Sequence, residues 1–135
     1  MLVEQIMSSN VHCVSPEDSI KDLRSVFSAV SYHHLLVTKD STLLGVISDR
    51  DVISILSPFI DTVDATEQDT ALLEKLAKDI MSTELITAEK DTSIDTAAIF
   101  LLENNISCLP VVSEDDHVEG IITWKDMLKY YVYAT

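Results

Sequence analysis

Two short stretches of this chain each place a hydroxyl, a cation and a carboxylate within four residues: Ser48-Asp49-Arg50-Asp51 and Thr123-Trp124-Lys125-Asp126. Such a set suits recognition of a sugar phosphate. At the start of a helix, free N–H groups and the positive helix end favour an anion. There Ser48 or Thr123 donates to a phosphate oxygen, and Arg50 or Lys125 adds charge, the arginine as a forked donor. Asp51 or Asp126, one turn in, accepts from two ribose hydroxyls. The same Ser/Thr-x-x-Asp spacing is also a capping-box pattern that satisfies orphan N–H groups and nothing more. For a single copy the cap is the simpler reading. Two copies with the cation in the same place favour a ligand site, and the cap stays open for either copy taken separately.

Both stretches belong to an internal duplication. The only two glycines, Gly45 and Gly120, stand 75 residues apart and open the heptapeptides Gly45-Val46-Ile47-Ser48-Asp49-Arg50-Asp51 and Gly120-Ile121-Ile122-Thr123-Trp124-Lys125-Asp126. At an offset of 74, Gln5-Ile6-Met7-Ser8 matches Asp79-Ile80-Met81-Ser82, Ser19-Ile20 matches Ser93-Ile94, and Tyr32-His33-His34-Leu35-Leu36-Val37 matches Ile106-Ser107-Cys108-Leu109-Pro110-Val111. The extra residue falls between Val37 and Gly45, where a hairpin loop tolerates it. Blocks in one order at one offset mark a repeat.

The elements that position these residues read alike in each half. Ser19 and Ser93 stand as N-caps before apolar residues at helical spacing: Ile20, Leu23, Phe27 and Val30, then Ile94, Ala97, Ala98, Leu101 and Leu102, with a stop at Asn104-Asn105. A short strand follows at Leu35–Thr38 or Leu109–Val112, then a turn at 39–41 or 113–117. A second strand runs into the glycine heptapeptide, and a helix begins at Ser48 or Thr123. Each half therefore predicts strand, helix, strand, strand, helix. Ser57-Pro58 ends the first half, 61–69 reads as an acidic loop, and 70–78 as a linking helix. Residues 1–58 form the first domain, 59–76 the linker and linking helix, and 77–135 the second domain. The expected class is α+β, with two β-α-β-β-α repeats. A half of about 60 residues buries too little surface alone, so the halves are expected to pack sheet to sheet as a pseudo-twofold pair.

Composition narrows the functions. The chain has 135 residues, with 23 acidic against 9 basic and a formal charge of −14. That balance repels nucleic acid and anionic membrane, so neither is expected as a partner. No apolar run reaches the ~18 residues of a membrane span, and the first residues do not read as a signal peptide, so a cytoplasmic location is expected. Cys13 and Cys108 make neither a disulfide framework nor a metal set, and both read as buried small apolar residues without redox function. His33 and His34, adjacent on a strand, point to opposite faces and cannot hold one metal together. No nucleophile with a base at workable spacing is present, so no enzyme activity and no catalytic residue is expected.

The two Gly-apolar-apolar-Ser/Thr-x-x-Asp motifs, the Ile-Met-Ser openings, Val14-Ser15-Pro16-Glu17-Asp18-Ser19 and the paired Leu-x-Val blocks resemble a tandem pair of cystathionine-β-synthase (CBS) domains, the Bateman module. The resemblance covers about Val3 to Leu128. It implies a stand-alone regulatory module that binds adenosine-containing ligands (AMP, ADP, ATP or S-adenosylmethionine) in clefts between the paired domains, with magnesium accompanying ATP. It further implies a homodimer acting on an unknown regulated protein. Carried over by motif, the ligand residues are Met7, Cys13, His33, His34, Leu35, Ser48, Arg50 and Asp51, and then Met81, Thr87, Ser107, Cys108, Leu109, Pro110, Thr123, Lys125 and Asp126. The Ile-Met openings and the segments before Leu35 and Leu109 are expected to supply the adenine slot.

The chain departs from the family pattern in its first half. Thr87 fits the family's threonine, but Cys13 holds the matching position. Pro110 fits the family's proline, but Leu36 replaces it. Asp49 adds negative charge near the phosphate position, where Trp124 adds none. The first site is therefore expected to hold its base differently or to bind less well. Trp124 leaves three readings, base stacking, capping of a dimer face and rim packing, and the aromatic tail 127–133 two more, a partner surface and core closure. The competing reading for the whole chain is a dimerisation scaffold that binds no ligand.

Overall fold

The computed structural model describes residues 1–30 and 32–133. Ala134 and Thr135, at the end of the expected second domain, lie outside the described residues. The chain is mixed α+β and divides into two compact units. The first-repeat unit comprises 13–39 and 44–83, and the second-repeat unit 1–12, 40–43 and 84–135.

In the first-repeat unit, strand β1 (Cys13–Val14) runs parallel to β2 (His34–Lys39), with Cys13 opposite Leu36 and Val14 opposite Val37. Strand β3 (Thr42–Ser48), whose first two residues group with the other unit, completes a sheet of order β1-β2-β3. Helix α1 (Ile20–Ala29) starts where expected: Ser19 Oγ accepts from Asp22 N at 3.2 Å, while Asp22 reaches back to Ser19 N. Its apolar face places Ile20 and Leu23 beside Leu35, Val37, Ile47 and Val52 in one fully buried core. Helix α2 (Asp49–Ile55) follows β3 directly. The turn between β2 and β3 sets Asp40 and Ser41 at positive φ, where short polar side chains are tolerated.

The expected linking helix over 70–78 is corrected. Helix α3 (Glu67–Ala71) starts inside the stretch read as loop, capped by Thr66. A 3-10 turn (Leu72–Glu74) ends at Lys75, whose backbone is extended, and α4 (Ala77–Ile80) begins afresh. The break has a tertiary cause. Ile20 N donates to Lys75 O at 2.8 Å and Ala77 N to Asp18 O at 2.8 Å, so the Lys75 carbonyl and the Ala77 amide bond to the start of α1 instead of continuing a helix.

In the second-repeat unit, α5 (Ile94–Glu103) is capped by Ser93, and Asn104 ends it with Asn105 at positive φ. Strands β4 (Cys108–Val112) and β5 (Val118–Thr123) form an antiparallel pair, and α6 (Trp124–Tyr133) follows. Val3, Ala97, Leu101, Leu109, Ile122 and Met127 lie in its buried core. The expected first strand of this repeat shrinks to a single parallel bridge, Ala88 with Val111, held by Ala88 N to Pro110 O and Val112 N to Ala88 O, both 2.9 Å. The opening residues of the chain belong to this unit. Leu2 bridges Ser93, Val3 N donates to Thr92 O at 2.8 Å, and Val3 is fully buried.

Candidate functional site

The opening segment of each repeat packs on the glycine strand of the other repeat. Ser8 and Ile121 exchange backbone bonds (3.0 and 2.9 Å) in the second-repeat unit, and Ser82 and Val46 do the same (2.9 and 3.1 Å) in the first-repeat unit. A Cβ at Gly120 would lie 2.6 Å from Met7 Sδ and 2.9 Å from Ser8 O. One at Gly45 would lie 2.6 Å from Met81 Sδ and 2.9 Å from Ser82 O. Neither glycine has positive φ, so close approach of the opening segment is what requires glycine there.

This exchange sorts the expected site residues into two sets, each inside one unit. Cys13, His33, His34, Leu35, Ser48, Arg50, Asp51 and Met81 fall in the first-repeat unit. Met7, Thr87, Ser107, Cys108, Leu109, Pro110, Thr123, Lys125 and Asp126 fall in the second. The sequence alone leaves the partner of each methionine open. The signal was the glycine pair, which marks where a backbone must approach without naming which one.

Both helix starts are capping boxes. Ser48 N donates to Asp51 Oδ2 at 2.8 Å, and Asp51 N donates to Ser48 Oγ at 3.0 Å. Thr123 N and Oγ1 both donate to Asp126 Oδ2 (2.9 and 3.2 Å), and Asp126 N donates to Thr123 Oγ1 at 3.4 Å. The cap and the ligand reading are compatible, because these bonds fall on Oδ2 and a carboxylate has about four lone-pair sites. Arg50 and Lys125 are exposed, and among the described residues neither forms an ion pair. Each half thus presents a half-buried hydroxyl and carboxylate with an uncommitted cation between them.

Around these starts the halves differ. His33 Nδ1 donates to Asp49 Oδ2 at 2.7 Å, and Asp49 N donates to His33 O at 2.9 Å. The His33 bond holds the Asp49 carboxyl below its ordinary value. Burial lowers His34, with the charge of Asp49 pulling the other way. In the second half Trp124 N donates to Ser107 O at 3.2 Å, and Trp124 Nε1 donates to Ile106 O at 3.0 Å. The indole edge is therefore bonded to the chain's own backbone. In both halves the first helical residue ties down the segment before the middle strand, by an ion pair in one and an indole in the other. Sequence reading missed both ties.

Thr87 lies one residue before the Ala88 bridge, and Cys13 is its counterpart on β1, so the register supports that match. Cys108 is opposite Thr123, and Pro110, which is buried, is opposite Ile121. The expectation that both cysteines are buried holds for Cys108 alone: burial pushes its thiol up to about 12, whereas Cys13 is exposed. Cys13 sits in a two-residue edge strand, too short to cover it. Partial burial raises its thiol, and a hydrogen bond with Thr38 pulls it back. Among the described residues no group of three or more His, Cys, Asp or Glu side chains could hold a metal ion. No helix among them is long and apolar enough to cross a membrane.

The CBS domain family model matches residues 3–58 and 77–133. An uncharacterized protein of Methanocaldococcus jannaschii is 27% identical over 135 residues, covering 96% of this chain and 47% of its own length. Inosine-5'-monophosphate dehydrogenase of Thermoplasma acidophilum is 30% identical over 125 residues, covering 93% of this chain and 22% of its own. The chain thus spans less than half the length of these relatives. Among solved structures, the CBS domain pair of protein MJ0100, in complex with 5'-methylthioadenosine and S-adenosyl-L-methionine, is 25% identical with a TM-score of 0.82, covering 100% of this chain and 98% of that one. CBSX2 in complex with AMP is 27% identical with a TM-score of 0.80, covering 97% and 96%. Matched twice along its length and aligned nearly end to end with solved pairs, the chain belongs to the CBS domain family as a tandem pair.

Proposed function

We propose that this chain is a non-catalytic, cytoplasmic regulatory module that binds an adenosine-containing ligand through the residues of each repeat and acts through a partner protein. The observation that carries this reading is the duplicated helix start: a capped hydroxyl and carboxylate flanking Arg50 or Lys125, neither of which forms an ion pair among the described residues. A scaffold needs the caps but not an uncommitted cation twice. The AMP complex of CBSX2 and the 5'-methylthioadenosine complex of MJ0100, both about a quarter identical to this chain, support the ligand class. In this reading Met7 and Met81 flank the base, Asp51 and Asp126 take the ribose, and Arg50 and Lys125 take phosphate. Magnesium accompanies ATP, because the −14 chain otherwise repels the more highly charged nucleotide.

The module is further proposed to act as a homodimer. Ile99 and Leu102 on α5, with Leu128 and Val132 on α6, leave apolar side chains exposed at helical spacing. Light scattering at tens of micromolar tests this, and a 15 kDa species would end it. Calorimetry with adenosine, AMP, ATP and GTP tests the ligand. Binding of AMP in preference to GTP supports the sensor; no binding of any of the four leaves the scaffold reading, which the complete capping boxes favour.

A further inference from the structure

We infer that His33 is a positioning residue that makes phosphate affinity in the first repeat depend on pH by acting through Asp49. The inference rests on the ligand reading above and adds a regulation that the second repeat lacks. Asp49 and Trp124 occupy matching positions, each immediately before the cation of its repeat. Asp49 therefore places a carboxylate next to Arg50, the group expected to meet phosphate, and His33 is bonded to that carboxylate at 2.7 Å. The second backbone bond, Asp49 N to His33 O, fixes the two residues against each other, so the pair does not depend on a floppy side chain alone.

The sign follows from charge. With His33 protonated, the pair is neutral overall and the Arg50 charge is uncompensated. With His33 neutral, the Asp49 carboxylate carries a net negative charge that opposes an incoming phosphate. The other titratable or charged groups facing the pair are His34 on β2 and Arg50 and Asp51 on α2. His34 is half-buried, and burial disfavours its charged form, so it adds little pH dependence of its own. Asp51 is bound in the cap at Oδ2. In the second repeat, the indole of Trp124 makes the corresponding tie and does not titrate. Both members of the pair are solvent-accessible (73% and 37% of the side chains), so screening keeps the effect small, about two- to five-fold in affinity.

The test is calorimetric titration of the full chain with AMP and with adenosine from pH 5.5 to 8.0, for the natural sequence, His33→Gln and Asp49→Asn. Protonation of AMP itself is common to all three proteins, so the difference between profiles is the readout. The expected result is an AMP affinity that falls about two- to five-fold more steeply with rising pH in the natural chain than in either variant. Asp49→Asn should lack the extra steepness and stay on the tighter-binding side of the natural chain at high pH, and with adenosine the shape of the pH profile should be the same in all three proteins. Superimposed AMP profiles for the natural chain and His33→Gln would overturn the inference. So would an Asp49→Asn profile as steep as that of the natural chain. Failure of AMP and adenosine to bind at any pH would instead overturn the ligand reading beneath it. A loss of packing alone would lower the melting midpoint without reshaping the AMP profile.

Discussion

The sulfur of Met81 occupies the space that a side chain at Gly45 would need, 2.6 Å from where its Cβ would stand, with the Ser82 carbonyl oxygen at 2.9 Å behind it. The thioether can swing away, but the carbonyl belongs to a bonded backbone pair and cannot. Gly45→Ala is therefore expected to cost about 1–3 kcal/mol, as overpacking of a closed site does. Gly120→Ala should cost a similar amount against Met7 and Ser8. Chemical denaturation of both variants checks this. Unchanged midpoints would mean that the opening segments are loosely held.

Asp51 and Asp126 each hold a cap, and the proposed function gives each a ribose as well. Asp→Ala at either position should cost about 0.5–2 kcal/mol of stability. At the mutated site it should also weaken ligand binding about ten- to a hundred-fold, through loss of a charged hydrogen bond. Asp→Asn retains an acceptor for the cap and removes the charge, so stability should largely recover while affinity stays reduced. Affinity that tracks stability through all four variants would reduce these residues to caps.

Arg50→Ala and Lys125→Ala should lower the affinity for AMP and ATP while leaving adenosine nearly unchanged, since their partner is phosphate. Stability should move by less than about 0.5 kcal/mol, because both side chains are exposed. An equal loss for adenosine would place the cations elsewhere in the ligand.

The two thiols should react differently. Cys13 is exposed, whereas Cys108 is buried with its thiol pushed up to about 12. Labelling of the native chain with an aromatic disulfide near pH 8 should modify Cys13, more slowly than a free thiol because its thiol is raised, and Cys108 only on unfolding, since the thiolate is the nucleophile. Native labelling of both would show that β4 opens readily.

Acid should destabilise the fold below about pH 4. Asp49, bonded by His33, Asp61, bonded by Arg24, and Asp69, bonded by the Thr66 backbone, all have carboxyls held below the ordinary 3.8. A carboxyl lowered on folding contributes stability above its unfolded value and loses it as pH falls through its folded value. Melting midpoints from pH 5 to pH 2.5 should therefore drop. In Arg24→Met the part carried by Asp61 should be missing, so its curve should be flatter. Parallel curves would remove that ion pair from the account.

Much of this architecture can be read in the sequence because it is local. Ser19, Ser48, Ser93 and Thr123 cap the helices they were expected to start, since a cap depends on residues three apart in the chain. The alternation of burial along β3 and the turn at Asp40-Ser41 are equally local. The repeat fixed which residues correspond, so Thr87 and Cys13 could be aligned before their strands were seen. What the tertiary structure decided is long-range. Residues 70–78 have helical spacing, yet bonds from Ile20 and Ala77 hold the backbone at 75–76 extended. A lone glycine says that something approaches, but only folding shows that Met7 goes to Gly120 and Met81 to Gly45. Likewise His33 and Asp49 stand 16 positions apart, and only the return of β3 to the start of β2 brings the imidazole onto the carboxylate. Pairings of that kind depend on where the backbone turns, which no spacing within the chain encodes.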